Sequence, residues 1–416
     1  MGGPVIMTTL SAFLHPFARP AAKPDEFVTL VRGEGAALFD RDGTRYVDGL
    51  ASLWYCNVGH GRTSIADAVH AQMTALETYS TFDIFTNERA EELSAELAAL
   101  APMPDVRVFL TSGGSESVDT AMKLARQAQT QAGHPERTVI ISRMQSYHGV
   151  NYGGLSATGL PLNRVGFGEM LPEVVQVPQH DLDAMGAACS QHAGRIAAII
   201  TEPVQGAGGV HPSNDGYLQG LRALADQHGA YLIFDEVICG FGRLGTWWGA
   251  QHYGVTPDLI TFAKGVSSGY IPLGGVLVGP AVRAPLEADS GFMLRHGYTY
   301  SGHATACAAA LANLAIIRTE GLVDRAIPIG ERLSSGLHAL HRAGKVGEVR
   351  GVGAVWGVGL HDGMNPAAVR STMMKHGVIV RPIPPSTIAF CPPLVISNDD
   401  IDLLLHALEA GLDANT

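Results

Sequence analysis

Two segments of the sequence end an apolar run with groups that can do chemistry. Two carboxylates, Asp235 and Glu236, follow the apolar run in Tyr231-Leu-Ile-Phe-Asp-Glu-Val237. An amine ends the segment Asp258-Leu-Ile-Thr-Phe-Ala-Lys264. Ligands of open α/β sheets bind at the carboxyl ends of the strands, so Asp235 can meet a cationic nitrogen there. A lysine at the same edge loses hydration, which lowers its pKa and makes it a nucleophile toward a carbonyl carbon. Each pattern has a structural alternative, because such acids also cap loops and a lone lysine more often lies at the surface.

Two further segments add possible ligand contacts. Phe109 to Lys123 passes from an apolar run through Gly113-Gly114 into a helical pattern. The free N–H groups at such a helix start, with the Ser115 hydroxyl, form an anion site. The segment matches neither GxGxxG nor GxxxxGK[ST], and alone it is more typical of an ordinary strand-to-helix turn. Ser146-Tyr-His-Gly149 offers the Tyr147 ring as a flat contact surface, whereas His148 alone is more typical of a structural histidine.

Together these segments meet the requirements of pyridoxal phosphate (PLP): a phosphate cradle, a carboxylate for the ring nitrogen, an aromatic plate and a Schiff-base lysine. The residues also resemble the class III aminotransferases of the fold type I PLP enzymes over nearly the whole chain, most closely the ω-amino acid:pyruvate and amine:pyruvate transaminases. The stretches that carry the resemblance are Leu53-Trp-Tyr-Cys-Asn-Val-Gly-His-Gly61, Gly114-Ser-Glu116, Tyr147-His-Gly-Val-Asn151, Thr201-Glu-Pro-Val-Gln-Gly206, Asp235-Glu-Val-Ile-Cys-Gly-Phe-Gly-Arg243, Phe262-Ala-Lys-Gly265 and His296-Gly-Tyr-Thr-Tyr-Ser-Gly-His303.

The resemblance implies roles for individual residues. Lys264 is expected to bind the cofactor covalently and to shuttle the substrate proton, and Asp235 to keep the pyridine nitrogen protonated. The other residues that it implies at the cofactor are Gly114, Ser115, Tyr147, His148, Glu202, Gln205, Val237 and, from the neighbouring subunit, Thr299. Those that it implies at the substrate are Trp54, Tyr147, Tyr298, Arg381 and, across the interface, Phe82.

The expected function is transfer of an amino group from a primary amine or ω-amino acid, such as β-alanine, to an α-keto acid, with pyruvate the favoured acceptor, by a ping-pong mechanism. An aminomutase or racemase on the same fold is the close alternative, because these enzymes begin with the same chemistry. A nicotinamide-dependent oxidoreductase is the runner-up from another enzyme class, because the alternation of strands and helices and the glycine turns also suit dinucleotides. A PLP-binding protein without catalysis is disfavoured because Lys264 and Asp235 are both present.

Composition and charge restrict the class further. The 416 residues are 46% hydrophobic and 16% charged, which is typical of a globular chain of two or three packed units. A net charge of −11 without a basic run disfavours nucleic acid. Five cysteines without a CxxC pair indicate a reducing compartment, and we expect a cytoplasmic protein. The first 17 residues lack a secretory pattern, no stretch indicates a membrane span, and the scattered histidines predict no metal site.

The elements that must position these residues follow from periodicity. Residues 35–48 predict a hairpin around an Asp-Gly turn, and Asn87 predicts a helix cap. Short apolar runs then alternate with helix-length segments, which indicates a mostly parallel α/β sheet covered on both faces. These runs are residues 106–110, 139–141, 196–200, 231–234, 259–262 and 275–278. The resemblance implies seven strands in this sheet. Helical patterns at about 303–319, 323–342 and 398–412, with short strands near 346–350, 378–381 and 387–390, indicate a smaller α+β domain. We expect residues 1–60 to contribute to the small domain, 61–317 to form the large PLP-binding domain, 318–416 to complete the small domain, and the chain to form a homodimer or a dimer of dimers with shared active sites.

Overall fold

The computed structural model describes residues 11–416. Part of the N-terminal stretch that was analysed for a secretory pattern therefore lies outside the described residues. The strands, numbered along the chain, are β1 Leu30–Glu34, β2 Ala37–Asp40, β3 Arg45–Asp48, β4 Arg107–Thr111, β5 Val139–Arg143, β6 Val174–Val177, β7 Ile196–Thr201, β8 Val204–Gln205, β9 His211–Pro212, β10 Tyr231–Asp235, β11 Leu259–Phe262, β12 Gly274–Val278, β13 Glu348–Val352, β14 Val355–Gly359, β15 Val378–Ile379, β16 Arg381–Ile383 and β17 Thr387–Phe390.

Helices lie between and around these strands. They are α1 Ala51–Trp54, α2 Thr63–Leu76, α3 Glu88–Leu100, α4 Gly114–Gln131, α5 Tyr152–Ala157, α6 Leu182–Gln191, α7 Tyr217–His228, α8 Gly249–Tyr253, α9 Pro280–Glu287, α10 Ala304–Thr319, α11 Leu322–Arg342, α12 Pro366–Lys375 and α13 Asn398–Asp413. Short 3₁₀ turns lie at Pro24–Glu26, Pro161–Asn163 and Lys264–Val266.

Seven strands form the central sheet in the order β4-β12-β11-β10-β7-β5-β6. Only β12 runs against its neighbours, and the other pairs are parallel. The predicted mostly parallel seven-stranded sheet is therefore confirmed. One strand, β6, was not among the predicted apolar runs, because Val174–Val177 lies half-buried at the sheet edge and contains a glutamine.

The register of β10 and β11 positions the two groups of greatest chemical interest. The strands are parallel, and Asp235 at the end of β10 lies opposite Thr261 in β11. Lys264 follows two residues after β11 ends, so it emerges at the same edge of the sheet. Both strands are buried on both faces, which explains their continuous apolar sequences.

Helix α4 covers one face of this sheet and begins at the same edge. Its buried residues recur at helical spacing, as Val118, Ala121, Ala125 and Ala128 do, and they pack against residues of β5, β7, β10 and β12. The strand-to-helix turn at Gly113-Gly114 is therefore held near the ends of β10 and β11.

The two ends of the chain meet in a smaller sheet. This sheet has the strand order β1-β2-β3-β15, and β15 lies parallel to β3. A separate antiparallel sheet has the order β13-β14-β17-β16. The hairpin of β2 and β3 and the Asn87 cap of α3 are as predicted. The domain boundaries at residues 60 and 317 stay predictions. Over residues 11–416 no single helix has the length and apolarity to cross a membrane; α10 and α11 meet that test only as a pair bent by 63°.

Candidate active site

A cavity of about 160 Å³ lies at the carboxyl ends of β10 and β11. It brings together eight of the residues predicted at the cofactor, although they are spread over 150 positions of the sequence. These residues are Gly114, Ser115, Tyr147, His148, Glu202, Asp235, Val237 and Lys264.

Asp235 is buried and held in one orientation by three donors. Its Oδ2 lies 2.7 Å from His148 Nδ1, and its Oδ1 accepts from the Thr261 hydroxyl at 3.0 Å and from the Val237 N–H at 3.2 Å. Since an ionised carboxylate only accepts hydrogen bonds, His148 carries its proton on Nδ1 when it is neutral. The other nitrogen of this buried ring, Nε2, has no hydrogen-bond partner among the described residues.

Lys264 projects into the same cavity from a residue with a left-handed backbone, at φ 48°. Burial lowers the pKa of its amine, and the nearby Asp235 and Glu202 carboxylates partly offset that shift. A lowered pKa increases the fraction of neutral amine, which is the form that attacks carbonyl carbon.

Glu202 is a second buried acid of the cavity wall. Its Oε1 accepts from the Tyr147 N–H at 2.9 Å, and its Oε2 accepts from the Gly206 N–H at 3.1 Å. Burial raises the pKa of Glu202 to about 7, a shift that His148 opposes and Asp235 reinforces. The side chain therefore fixes the backbone of Tyr147, whose ring is half-buried in the cavity.

The start of α4 forms the opposite side of the cavity. Its N-cap, Gly113, has no side chain to satisfy the first peptide N–H groups of the helix. A Cβ at Gly114 would approach Val237 Cγ1 to 3.1 Å, so glycine keeps the helix end close to the strand ends. The Ser115 hydroxyl accepts from the Val150 N–H at 3.0 Å and retains its own proton for donation. This end of the helix can bind an anion.

The remaining predicted residues lie outside the lining of this cavity in their own chain. Trp54 is buried in an apolar cluster with Ile238, a residue of the cavity wall. Arg381 starts β16 close enough to Tyr147 for each to shift the pKa of the other. Phe82 and Thr299, the two residues expected to act across the subunit interface, are both exposed.

Two further predicted side chains contact other parts of the chain. The Tyr298 hydroxyl donates to the Glu116 carbonyl at 3.2 Å, beneath the start of α4. The Gln205 amide donates to the Met144 carbonyl and accepts from Gln179, so it lies outside the cavity lining where the resemblance implied a contact.

Sequence reasoning missed several residues of the site. Thr261 donates to Asp235, and its position could have been inferred from a parallel pairing of β10 with β11. Val118, Ile238 and Ala263 complete the apolar wall, and no local signal distinguishes them from core residues. Within residues 11–416 no group of three or more His, Cys, Asp or Glu side chains is arranged to hold a metal ion.

Comparison with known proteins agrees with this geometry. Residues 19–412 match the family model described as aminotransferase class-III. The β-alanine–pyruvate aminotransferase of Pseudomonas aeruginosa is 34% identical over 411 residues, covering 92% of this chain and 91% of that protein. A thermostable (S)-enantioselective ω-transaminase from Thermomicrobium roseum is 38% identical with a TM-score of 0.92, covering 96% of each chain. An amine transaminase from an uncultivated Pseudomonas species, solved in its PLP-bound form, is 37% identical with a TM-score of 0.92, covering 98% of this chain and 99% of that one.

The chain therefore belongs to the class III aminotransferases, which are PLP-dependent enzymes of fold type I. It transfers an amino group from an amine donor to a keto acid. The predicted family, fold class and cofactor are confirmed. The cavity fits this cofactor, since it combines an amine, a buried carboxylate and an open helix start kept clear of a side chain at Gly114.

Proposed function

We propose that this aminotransferase takes primary amines or ω-amino acids as donors and pyruvate as acceptor, with Lys264 and Asp235 as its catalytic residues. The observation that carries the proposal is the cavity in which the Lys264 amine, the Asp235 carboxylate and the start of α4 meet. The chemistry that PLP supplies is a carbonyl carbon for the donor amine and a ring that accepts the electron pair of the bond broken beside the amine.

Lys264 would bind the cofactor through Nζ and would later take the proton from the amine-bearing carbon of the substrate. The lowered pKa of its amine supports both roles, because a neutral amine is both a nucleophile and a base. Asp235 would hold a proton on the ring nitrogen of the cofactor. Its two oxygens are already oriented by His148 and Thr261, so His148 and Thr261 act as positioning residues.

The other lining residues would fix the position of the cofactor. Tyr147 and Val237 would contact the two faces of the ring, and the hydroxyl of Ser115 with the N–H groups at Gly114 would bind the phosphate. Glu202 would hold Tyr147 in place through its bond to the Tyr147 N–H. Trp54, Tyr298 and Arg381 would contact the substrate, and Arg381 would bind the carboxylate of pyruvate as a planar two-point donor.

We also propose that two copies of the chain complete each other's active sites in the cytoplasm. An exposed apolar surface supports this proposal. It is formed by the 79–85 segment, which packs against 297–301 through Phe82 and Gly297 and through the Thr81 hydroxyl and the Ser301 carbonyl. The exposed apolar side chains of these two segments are Tyr79, Phe82, Ile84, Phe85 and Tyr300. An apolar surface of this kind is typical of an interface, and it lies beside Thr299, the residue that would reach the partner's cofactor phosphate.

A panel of donors tests the substrate proposal. The holoenzyme is incubated with β-alanine, putrescine or 1-phenylethylamine, and with pyruvate or 2-oxoglutarate as acceptor. We expect alanine and the aldehyde or ketone of the donor to form in equal amounts. Faster turnover with 2-oxoglutarate than with pyruvate for every donor would contradict the assigned acceptor, and an isomerised donor without carbonyl product would indicate an aminomutase or racemase.

A further inference from the structure

A second set of reactive side chains lies outside the cofactor cavity. The Cys56 sulfur is 3.5 Å from His60 Nδ1, and His60 Nε2 is 2.9 Å from Asp48 Oδ2. The Asp48 carboxylate is fully buried and also accepts from the N–H groups of Leu50 at 3.0 Å and Ser52 at 2.7 Å. Thiol, imidazole and carboxylate thus stand in the order used by nucleophilic sites in which a base is oriented by an acid.

The hydrogen bonds determine which nitrogen of His60 acts as the base. An Asp48 carboxylate that already accepts two N–H groups is an acceptor only, so His60 Nε2 carries the proton and donates to it. Nδ1 is then an acceptor and faces the Cys56 thiol. The backbone of His60 is fixed by two hydrogen bonds to Gly35, at 2.8 and 3.1 Å.

A separate cavity adjoins this triad. It has a volume of about 250 Å³, and its lining includes Ser52, Tyr55, Cys56, His60 and Tyr270. None of its lining residues belongs to the lining of the Lys264 cavity. The space is sufficient for a small organic molecule next to the sulfur.

The thiol is protonated at rest. Burial, reinforced by Asp48, raises the pKa of Cys56 to about 12, and Arg243 and Arg62 oppose the shift only in part. A protonated thiol reacts when a base removes its proton during the attack, and His60 Nδ1 is placed to do so. Arg62 is itself held by Glu320 at 2.8 Å, and a guanidinium has no acceptor nitrogen, so the His60 imidazole is the base beside the thiol.

We propose that Cys56 is a covalent modification site for small α,β-unsaturated carbonyl compounds, with His60 as its general base and Asp48 as the positioning residue. The sulfur forms a bond to the β-carbon of the compound while its proton passes to His60 Nδ1. The carbon–carbon double bond opens, and the α-carbon takes the proton from His60. The thiol and the carbonyl compound are the only reactants, and no oxidant is needed.

The other cysteines of the chain provide internal controls. Cys189, Cys239, Cys307 and Cys391 are all free and buried. Within residues 11–416 the Cys56 sulfur is the one that lies within hydrogen-bonding distance of an imidazole; Cys239 instead faces the Val204 carbonyl at 3.8 Å. A difference in reactivity between Cys56 and these residues therefore measures the effect of the triad and its cavity.

Labelling of the holoenzyme with methyl vinyl ketone, followed by peptide mapping, tests the proposal. We expect Cys56 to react at least tenfold faster than each of the other cysteines. His60→Gln should lower the Cys56 rate at least tenfold, whereas the exposed His361→Gln should leave it unchanged.

Equal rates at Cys56 and Cys391 would overturn the proposal, as would an unchanged Cys56 rate in folded His60→Gln. Thermal unfolding establishes whether that variant is folded. If it is not, the wild-type ratio of rates and its pH dependence decide the question alone. A Cys56 rate that rises with pH in proportion to the thiolate fraction, toward the pKa of about 12, would show that His60 is not the base.

Discussion

Arg381 is the residue that we propose binds the carboxylate of pyruvate. It begins β16 at an edge of its sheet, is half-buried beside Tyr147, and its pKa is lowered by that burial and by Arg370. A hydrogen bond to a charged group contributes about 1.5–3 kcal/mol. We therefore expect Arg381→Ala to lower catalytic efficiency with pyruvate by about tenfold to a hundredfold and to change the half-reaction of 1-phenylethylamine far less.

Single-turnover rates of the two half-reactions measure this difference. Arg370→Ala is the matched control, because it removes a neighbouring positive charge from α12 without removing the expected carboxylate contact. Equal losses in both half-reactions of Arg381→Ala, or a loss in neither, would mean that Arg381 does not select the carboxylate.

Glu202 makes stability depend on pH in a direction opposite to that of a salt-bridged acid. Burial raises its pKa to about 7, whereas an unfolded glutamate ionises near about 4.3. Between these values the folded form retains a proton that the unfolded chain has lost, so the free energy of unfolding falls as pH rises, by at most about 1.4 kcal/mol per pH unit. Glu202→Gln has no such proton and should show a shallower fall.

Urea denaturation between pH 4.5 and 8 measures the slope. Burial also raises the pKa of Glu236 to about 7, so part of the fall in the free energy of unfolding should persist in Glu202→Gln. The exposed Glu88→Gln serves as the control and should match the wild type. An identical slope in wild type and Glu202→Gln would show that the Glu202 carboxyl does not retain its proton.

At the scale of elements, Asn87 joins α3 to the turn before α10. Its Oδ1 accepts from the Ala90 N–H at 2.9 Å, and its Nδ2 donates to the buried Gly302 carbonyl at 2.8 Å. Asn87→Ala removes a cap and leaves that carbonyl unpaired, so we expect a loss of about 2–3 kcal/mol in the free energy of unfolding. Asn365→Ala, which removes only the exposed cap of α12, should cost about 1 kcal/mol in the same denaturant titration. Equal losses would contradict the role of the Gly302 contact.

Periodicity predicts the buried elements well and the edge elements poorly. Strands such as β10 and β11 are buried on both faces, so their sequences are continuous apolar runs between turn residues. Strand β6 at the sheet edge and helix α12 carry mixed sequences, and neither was predicted. What specifies such elements is a tertiary neighbour: β6 pairs only with β5, and α12 packs mainly on α13.

The tertiary fold of the whole chain determines which residues share a site. Strand ends and helix starts of an α/β sheet meet at one edge, so the sequence patterns predicted that Gly114, Ser115, Tyr147, Asp235 and Lys264 lie together. The family resemblance added His148, Glu202 and Val237, which line the same cavity. The triad of Asp48, His60 and Cys56 was not predicted, since it depends on the irregular backbone of α1, where Ala51, Ser52 and Trp54 have positive φ. Thr299 and Phe82 do not line the cavity of their own chain. Their proposed roles at the active site therefore require a second copy of the chain.

Subunit complementation tests that sharing. Homodimers of the Lys264→Ala chain and homodimers of the Thr299→Ala chain are each expected to have little or no activity. In a mixed dimer one site carries both defects and the other is intact, so about half of the wild-type activity per dimer should return. If Thr299 served its own chain, no intact site would form and mixing would restore nothing. Full activity in a verified monomer would also contradict the shared site.

The proposed function requires that the Lys264 amine carries the cofactor beside Asp235. Reduction of the holoenzyme with borohydride fixes the cofactor to its lysine, and peptide mapping identifies that residue. We predict a single modified peptide that contains Lys264, and a Lys264→Ala variant that folds but takes up no label and shows no turnover. Labelling of Lys123 or Lys345 in place of Lys264 would contradict the claim.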